Sequence, residues 1–281
     1  MSRITEMQDF VEDYRIASLI TGTLQNISSG KMQELRLRFE QNARFFSGIN
    51  EVYGIVKAHA FADKEKGSRL SEQPAQARDI YIGLTSNKRF YGTLNRDVAR
   101  ALVTIAGTNK KSDFLMIGLT GSQYVRESMV SKIIECIEFD DDASHAEELQ
   151  KVFSRASGYA RIFVVYPKFI NPFRQEVVMT DITQAPTATT EFKTRVDYIF
   201  EPEIHGMLQF FEIQVRRTIL ERVFLEAELA RSAARMMRMH SARDHANDLT
   251  RVYEQKLRHE FAALADVERM GSYVGFITWK L

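Results

Sequence analysis

The C-terminal part of the chain constrains the fold most, because residues 203–268 contain no proline and a single glycine, Gly206. At 1.5 Å per residue, an unbroken helix of this length extends roughly 100 Å, far more than a compact domain needs. Its apolar residues recur every three or four positions, as in a coiled coil. They are Leu208, Phe211, Val215, Ile219, Ala242, Ala246, Leu249, Tyr253, Leu257, Phe261 and Leu264. The pattern predicts one long helix that requires a partner helix.

The N-terminal segment offers that partner. Residues 1–66 also lack proline, and apolar residues from Ile4 to Ile27 follow the mixed three and four spacing of one helix face. Within this segment, Gln25–Gly30 is poor in helix formers. The predicted helix is therefore either weakly formed at these residues or held in place there by a partner. We predict that the two terminal segments, 1–66 and 203–281, form one long antiparallel coiled coil.

The middle of the chain, residues 67–202, has a different pattern. Short apolar runs rich in strand formers alternate with helical periodicity, which is typical of an α/β layer. The predicted strands cover 79–84, 114–119, 161–166, 176–183 and 196–200, and the predicted helices 96–106, 122–132 and 143–157. The predicted fold class is therefore α/β, with a globular domain inserted between the two coiled-coil helices.

Composition excludes several classes of protein. The chain has 38 Lys+Arg against 37 Asp+Glu, a net charge of +1, so it lacks the field that holds a nucleic acid. Cys136 is the single cysteine and cannot close an intramolecular disulfide, which indicates a reducing compartment. No run approaches the ~20 consecutive apolar residues that span a bilayer. We expect no nucleic-acid partner and no direct membrane span.

A search for chemistry returns no strong motif. Neither G-x-G-x-x-G nor the P-loop pattern occurs, so we expect this chain to bind no nucleotide itself. His240, Asp244 and Asp248 lie one helical turn apart and could present metal ligands, but the arginines around them favour a solvated face. We therefore expect no catalytic, cofactor-binding or metal-binding residues.

Several stretches resemble, in chain order, the motifs of one protein family. Ile20-Thr21 with Lys31-Met32 resembles the motif I-T-x-A-M-x-x-V-A-x-x-K-M, and 85–95 resembles the loop S-x-x-G-L-C-G-x-x-N. The most specific match is 233–244, which resembles A-A-R-M-x-A-M-x-x-A-x-x-N-A, and two shorter segments, 168–171 and 197–202, also match in order. Together these stretches resemble the gamma subunit of F-type rotary ATP synthases.

The resemblance implies a fold and a role. The family pairs its terminal helices into a coiled coil above an inserted α/β, Rossmann-like domain, here called the foot. The helix pair turns inside a ring of alpha and beta subunits, and the foot, with the epsilon subunit, docks on the membrane c-ring. The chain is then a non-catalytic rotor on the cytoplasmic side of the membrane, in a peripheral part of the complex. ATP, ADP and Mg²⁺ bind to the partner subunits.

Matching positions carry candidate contact residues. The resemblance places Lys31, Met32, Arg235, Met236, Asp244 and Phe261 toward the ring. It places Tyr198, Glu201 and Glu203 at the foot, near the c-ring and epsilon. A solvated helix face is the alternative for each charged residue.

The chain departs from the family pattern at several of these places. Arg89-Phe90-Tyr91 replaces the small Gly-Leu-Cys, and Phe261–Ala265 stands where the family has the polar I-T-x-E-[LI]. The apolar tail 273–279 could still occupy the apolar part of the ring that surrounds the end of the coiled coil in this family. A specialised paralogue of the gamma subunit, or a non-rotary coiled-coil scaffold of the same shape, remains an alternative, and an enzyme is a third.

The resemblance makes a direct prediction for the helix signature. Replacing Arg235 and Met236 together by alanine is expected to lower ATP turnover of the assembled complex and to leave the isolated chain folded, because the pair belongs to the segment that faces the ring. Turnover is measured on purified complex and folding by circular dichroism. Unchanged turnover would show that the two side chains are only core or surface.

Overall fold

A computed structural model describes residues 3–64, 76–109, 111–128, 134–138, 145–183, 201 and 203–279. The chain divides into two units by its internal contacts, Met1–Ser29 with Arg235–Leu281 and Gly30–Ala234. The described elements, in chain order, are α1 (Arg3–Lys64), β1 (Gln76–Leu84), α2 (Leu94–Thr108), β2 (Asp113–Ile117), α3 (Leu119–Arg126), β3 (Ile134–Ile137), α4 (His145–Ala156), β4 (Tyr159–Asn171), β5 (Arg174–Asp181) and α5 (Ile204–Trp279).

The larger unit, Gly30–Ala234, contains one five-stranded sheet. Its strand order is β3-β2-β1-β4-β5. β1 lies parallel to both β2 and β4, β2 lies parallel to β3, and β5 is antiparallel to β4. The order reverses beside β1, as in doubly wound α/β folds. The predicted α/β, Rossmann-like architecture is confirmed.

Helices cover both faces of this sheet, since successive residues of a strand point to opposite sides. One face packs against α4 and α5. Its buried residues include Ile80, Ile82, Leu84, Leu115, Ile117, Leu149, Val152, Ile162, Val164, Tyr166, Leu220, Val223 and Ala227. The opposite face packs against α2 and α3 through Val98, Ala99, Leu102, Phe114, Met116, Val125 and Val165. The apolar runs of the strands are continuous because both faces are buried.

Within the larger unit, α1 and α5 run antiparallel. Lys31 of α1 forms an ion pair with Glu228 of α5, and further along α1 the Tyr53 hydroxyl donates to Glu212 at 3.3 Å. Residue numbers thus rise on one helix as they fall on the other. Apolar side chains on both helices are buried in this unit, among them Met32, Leu35, Val56, Val215 and Leu220.

The smaller unit, Met1–Ser29 with Arg235–Leu281, shows the same antiparallel order. The Ser18 hydroxyl donates to Asn247 at 2.6 Å, and Arg3 lies 3.3 Å from the carboxylate of Glu260. Between these levels, the ring of Tyr253 lies 5.1 Å from Phe10, centroid to centroid. The antiparallel helix pair that periodicity predicted is confirmed.

Several element bounds differ from the predictions. β3 was not predicted, α3 ends at Arg126 instead of 132, and β4 continues to Asn171 instead of 166. α5 remains helical to Trp279, through the segment that was predicted as a tail. As predicted for one long helix, α1 passes through the weak segment 25–30 without a break, and the Ser28 hydroxyl donates to the carbonyl of Leu24. The predicted strand 196–200 lies outside the described residues, and the domain boundaries after 66 and 202 stay a prediction.

Two loops at the carboxyl edge of the sheet are in direct contact. The backbone N–H and the hydroxyl of Thr85 both donate to the carbonyl of Ile117, at 2.9 and 2.5 Å. Gly118 has φ of +98°, and a Cβ there would lie 2.6 Å from the carbonyl carbon of Thr85. A Cβ at Gly121 would collide with the Thr85 hydroxyl and the Met116 sulfur. Both glycines are therefore required by close approach of the backbone.

Substituting Gly118→Ala is expected to lower the free energy of unfolding by about 2–4 kcal/mol, because it adds a positive-φ penalty to a backbone collision. Gly107→Ala, at an open position in α2, is the matched control and is expected to be neutral or to stabilise by up to about 1 kcal/mol. Urea denaturation of the full chain measures both. Equal midpoints for the two variants would contradict the assignment of a constrained loop.

Candidate functional site

Two of the residues predicted to face the ring lie on α1 in the larger unit. The ammonium of Lys31 is paired with Glu228, whose side chain is only 12% exposed. Met32 is buried. Both side chains therefore make contacts inside the chain, and their predicted role toward a partner stays a prediction.

The signature segment on α5 lies in the smaller unit from Arg235 onward. Arg235 and Met236 are half-buried. The Nε atom of Arg235 and the Oε1 atom of Gln25 are buried, and neither has a hydrogen-bond partner among the described residues. This unit therefore holds an unsatisfied donor and an unsatisfied acceptor, which is costly unless water or a partner group supplies the bonds.

Asp244 is exposed, and its carboxylate lies 3.5 Å from His240 Nε2, one helical turn away. Asp248 lies 3.4 Å from Arg251 in the same way. In the described part of the chain, no group of three or more acidic, histidine or cysteine side chains could hold a metal ion. The geometry of this stretch is that of a solvated helix face.

The end of α5 carries a series of exposed apolar side chains, here called the tip. Arg3, the first described residue of α1, pairs with Glu260, so α5 extends past the described start of α1 from Phe261 onward. The side chains of the tip are between 46% and 90% exposed: Phe261, Leu264, Val267, Met270, Tyr273, Val274 and Trp279. Single exposed apolar residues are ordinary, but a continuous series on one helix marks an interaction surface.

Of the residues predicted at the foot, Glu201 and Glu203 are exposed and lie just before α5. The carbonyl of Glu203 accepts a hydrogen bond from the N–H of Met207 at 3.2 Å, in the first turn of the helix. Tyr198 lies outside the described residues. Exposure leaves both carboxylates available for a partner.

The carboxyl edge of the sheet is where doubly wound folds bind ligands, usually through N–H groups at a helix N-terminus. Here the chain itself occupies those groups at α3. Leu119 N–H donates to Asn87 Oδ1 at 2.6 Å, Thr120 N–H to the Ser86 carbonyl at 3.2 Å, and Gly121 N–H to the Thr85 hydroxyl at 3.1 Å. These donors are not available to a phosphate.

A small cavity of about 50 Å³ lies beside this edge. Side chains of both signs line it, which are Lys31, Lys88, Glu148, Glu228 and Arg231. Opposite charges at close range suit mutual pairing better than capture of a charged ligand.

A contact between the sheet and α5 was not predicted. The Tyr166 hydroxyl, on β4, donates to Glu226 Oε2 on α5 at 2.9 Å. Tyr166 is 4% exposed. The sequence holds a partial signal, since Glu226 interrupts the apolar stripe of α5 three residues after Val223, but its partner is set by the tertiary fold.

Two buried phenols in the larger unit have altered acidity. Burial is the main cause that raises the pKa of Tyr166 to about 12; a hydrogen bond with Thr180 opposes this, and the charge of Glu226 adds to it. Burial, followed by the charge of Glu212, raises the pKa of Tyr53 to about 12. Both hydroxyls therefore remain protonated donors at neutral pH.

Known proteins resemble this chain over most of its length. A model described as ATP synthase matches residues 7–260, most of the chain. The chain belongs to the ATP synthase gamma subunit family. The ATP synthase gamma chain of Clostridium novyi is 26% identical over 240 residues, 82% of each chain. The ATP synthase gamma chain of Clostridium botulinum strain Hall is 24% identical over 239 residues, again 82% of each.

Solved structures agree on the fold of this gamma subunit. The central stalk of the Tetrahymena thermophila mitochondrial ATP synthase matches with a TM-score of 0.58 and 19% identity, over 79% of this chain and 99% of that one. The rotor of the Euglena gracilis mitochondrial ATP synthase matches with a TM-score of 0.61 and 14% identity, over 93% and 98%.

The predictions of a gamma subunit and of a central-stalk role are confirmed by these findings. None of the described helices of this gamma subunit combines the length and the apolar character needed to cross a membrane. The predicted contact residues are not tested by the comparisons.

The two phenols make the stability of the gamma subunit depend on alkaline pH. An unfolded tyrosine loses its proton near pH 10, whereas Tyr53 and Tyr166 do so near 12. Their contribution is therefore complete below pH 10 and is lost as pH rises toward 12. Urea unfolding from about pH 9 to about pH 11.5 should show a smaller loss of stability in Tyr53→Phe/Tyr166→Phe than in the parent chain. Tyr273→Phe, on the exposed tip, is the control; an equal slope in all three would contradict the prediction.

Proposed function

We propose that this gamma subunit transmits rotation between a membrane c-ring and a catalytic ring of alpha and beta subunits, for ATP synthesis or hydrolysis coupled to ion transport. The chain itself is non-catalytic in this proposal. It lies on the cytoplasmic side of the membrane as a peripheral part of the complex, and its foot also contacts an epsilon subunit.

The tip is the observation that carries the proposal. A helix that presents Phe261, Tyr273 and Trp279 to water loses the stabilisation that burial of such side chains gives. A surrounding ring of subunits would bury them on all sides of one helix. An apolar sleeve also suits a turning shaft, since apolar contact has no preferred direction and does not fix one angle.

The carboxyl edge of the sheet supports the non-catalytic role. The N–H donors of α3 that a nucleotide phosphate would need are used by Thr85, Ser86 and Asn87. We therefore propose that ATP, ADP and Mg²⁺ bind on partner subunits. A nucleotide held by this chain under conditions that saturate the complex would count against this.

The contact residues remain part of the proposal. Toward the ring these are Lys31, Met32, Arg235, Met236, Asp244 and Phe261; toward the c-ring and epsilon they are Tyr198, Glu201 and Glu203. The half-buried Arg235, with its unsatisfied Nε, and the exposed Glu201 and Glu203 fit such roles best. Met32 is buried and would act through the shape of the helix pair.

The test is to tag the chain, purify it gently from its native cells, and identify the proteins that co-elute while ATP hydrolysis is assayed. Alpha, beta and epsilon subunits together with ATPase activity are expected. A chain that elutes alone, under conditions that preserve such complexes, would favour the non-rotary scaffold.

The tip gives a second prediction. Tyr273→Ser/Trp279→Ser is expected to lower the yield or the ATP turnover of assembled complex severalfold, because two side chains that a ring would bury are lost. Phe173→Ser is the matched control, since Phe173 is 81% exposed but belongs to the connection between β4 and β5 in the larger unit and is not part of the tip. Equal assembly and turnover of parent and tip variant would show that the tip has no partner in the ring.

A further inference from the structure

We propose that two ion or hydrogen-bonded pairs, Tyr166–Glu226 and Lys31–Glu228, hold α5 at a fixed angle about its own axis and carry torque between the sheet and the helix pair. We call these four residues the clasp. The inference rests on the proposed rotor function and deepens it, because it names positioning residues for torque transfer.

The two acids of the clasp point in nearly opposite directions. Glu226 and Glu228 are two residues apart, and each residue of an α-helix turns the side chain by about 100°, so they are about 200° apart. Glu226 accepts the hydroxyl of Tyr166 on β4, whereas Glu228 pairs with Lys31 on α1. Rotation of α5 about its axis in either direction would pull one acid from the sheet and the other from α1.

Apolar packing alone would not provide this resistance. Leu220, Val223 and Ala227 hold α5 against the sheet, but apolar contact depends on area and has little directional preference. Close packing of such side chains resists large shifts of the helix, but it includes no directional bond that fixes one angle. A hydrogen bond weakens steeply when its angle is lost, so a bond at a fixed point resists those motions.

The environment makes the sheet side of the clasp strong. The Tyr166 side chain is buried and its hydroxyl donates to a carboxylate at 2.9 Å. The phenol belongs to a central strand of the sheet, β4, and therefore joins that strand directly to α5. Bonds to charged groups are about twice as strong as neutral ones and strengthen further where water is excluded.

The α1 side of the clasp is also shielded. The Glu228 side chain is 12% exposed and the Lys31 side chain 37%. An ion pair at this depth is screened by salt less than a surface pair. Lys31 was expected to face the ring, and the clasp gives it a different role within the chain.

The experiment uses the assembled complex, with the ring of alpha and beta subunits fixed to a surface and a bead attached to the foot. It records the variance of the bead's rotational angle while rotation is paused. Tyr166→Phe/Glu226→Leu removes both polar groups of the sheet side, so that no buried charge is left unpaired and the fold is kept. We expect a larger angular variance, with ATP hydrolysis close to the parent rate.

Tyr159→Phe is the matched control. The Tyr159 hydroxyl also donates to a carboxylate, Asp113, at 2.8 Å, but both residues belong to strands of the sheet. We expect its angular variance to equal that of the parent complex. Hydrogen exchange of the full chain gives an independent reading, since α5 amides near Glu226 should exchange roughly tenfold faster in Tyr166→Phe and not in Tyr159→Phe.

The conservative variant Glu226→Gln separates geometry from charge. Its amide oxygen can still accept from Tyr166, so it should restore much of the stiffness that Glu226→Ala loses. Parent-like variance in Tyr166→Phe/Glu226→Leu would overturn the clasp. Failure of the tagged parent chain to assemble with a ring would instead overturn the proposed function, so the two failures are distinguishable.

Discussion

The antiparallel pairing of α1 and α5 is the constraint on which the rest of the structure depends. Helices of 62 and 76 residues bury little of their own surface, and most helical stability in proteins comes from packing of an apolar face. Each helix is the partner that the other needs. Because the first and last elements of the chain form the pair, the α/β layer between them must begin and end at the same place, and α5 is drawn across one face of the sheet.

That arrangement gives α5 two environments in the larger unit. Val223 and Ala227 lie in the apolar cluster on the sheet, and Glu228 reaches Lys31 on α1. The helix is thus both a component of the sheet domain and half of the coiled coil. A rotor needs this combination, since torque applied to the sheet has to reach the helix pair without loss at their junction.

Much of the fold could be predicted because it follows from local pattern. The strands around Ile82, Leu115 and Val164 are apolar on both faces, which predicts buried strands. The two proline-free terminal segments of the chain predict the long helices α1 and α5. β3 was missed because it has four residues, of which Glu135 and Cys136 do not read as a strand core. The weak segment at Gln25–Gly30 stays helical where Ser28 is buried by tertiary packing, which overrides the poor helix propensity of the segment. Tyr166–Glu226 joins residues 60 positions apart, and no spacing rule pairs them.

The contact between the β1–α2 loop and the β2–α3 loop bears on how such chains diverge. Thr85 and Gly118 approach so closely that no residue larger than glycine fits at position 118. Substitution is therefore excluded at this point of contact between the two loops. Five residues after Thr85, Phe90 has φ of +74° and is 57% exposed. Bulk added there extends into solvent and leaves the sheet undisturbed, so the loop can carry Arg89-Phe90-Tyr91 where the family motif that it resembles has Gly-Leu-Cys. Substitutions in the β1–α2 loop can therefore change which partners it binds, while the sheet and the helix pair keep their structure.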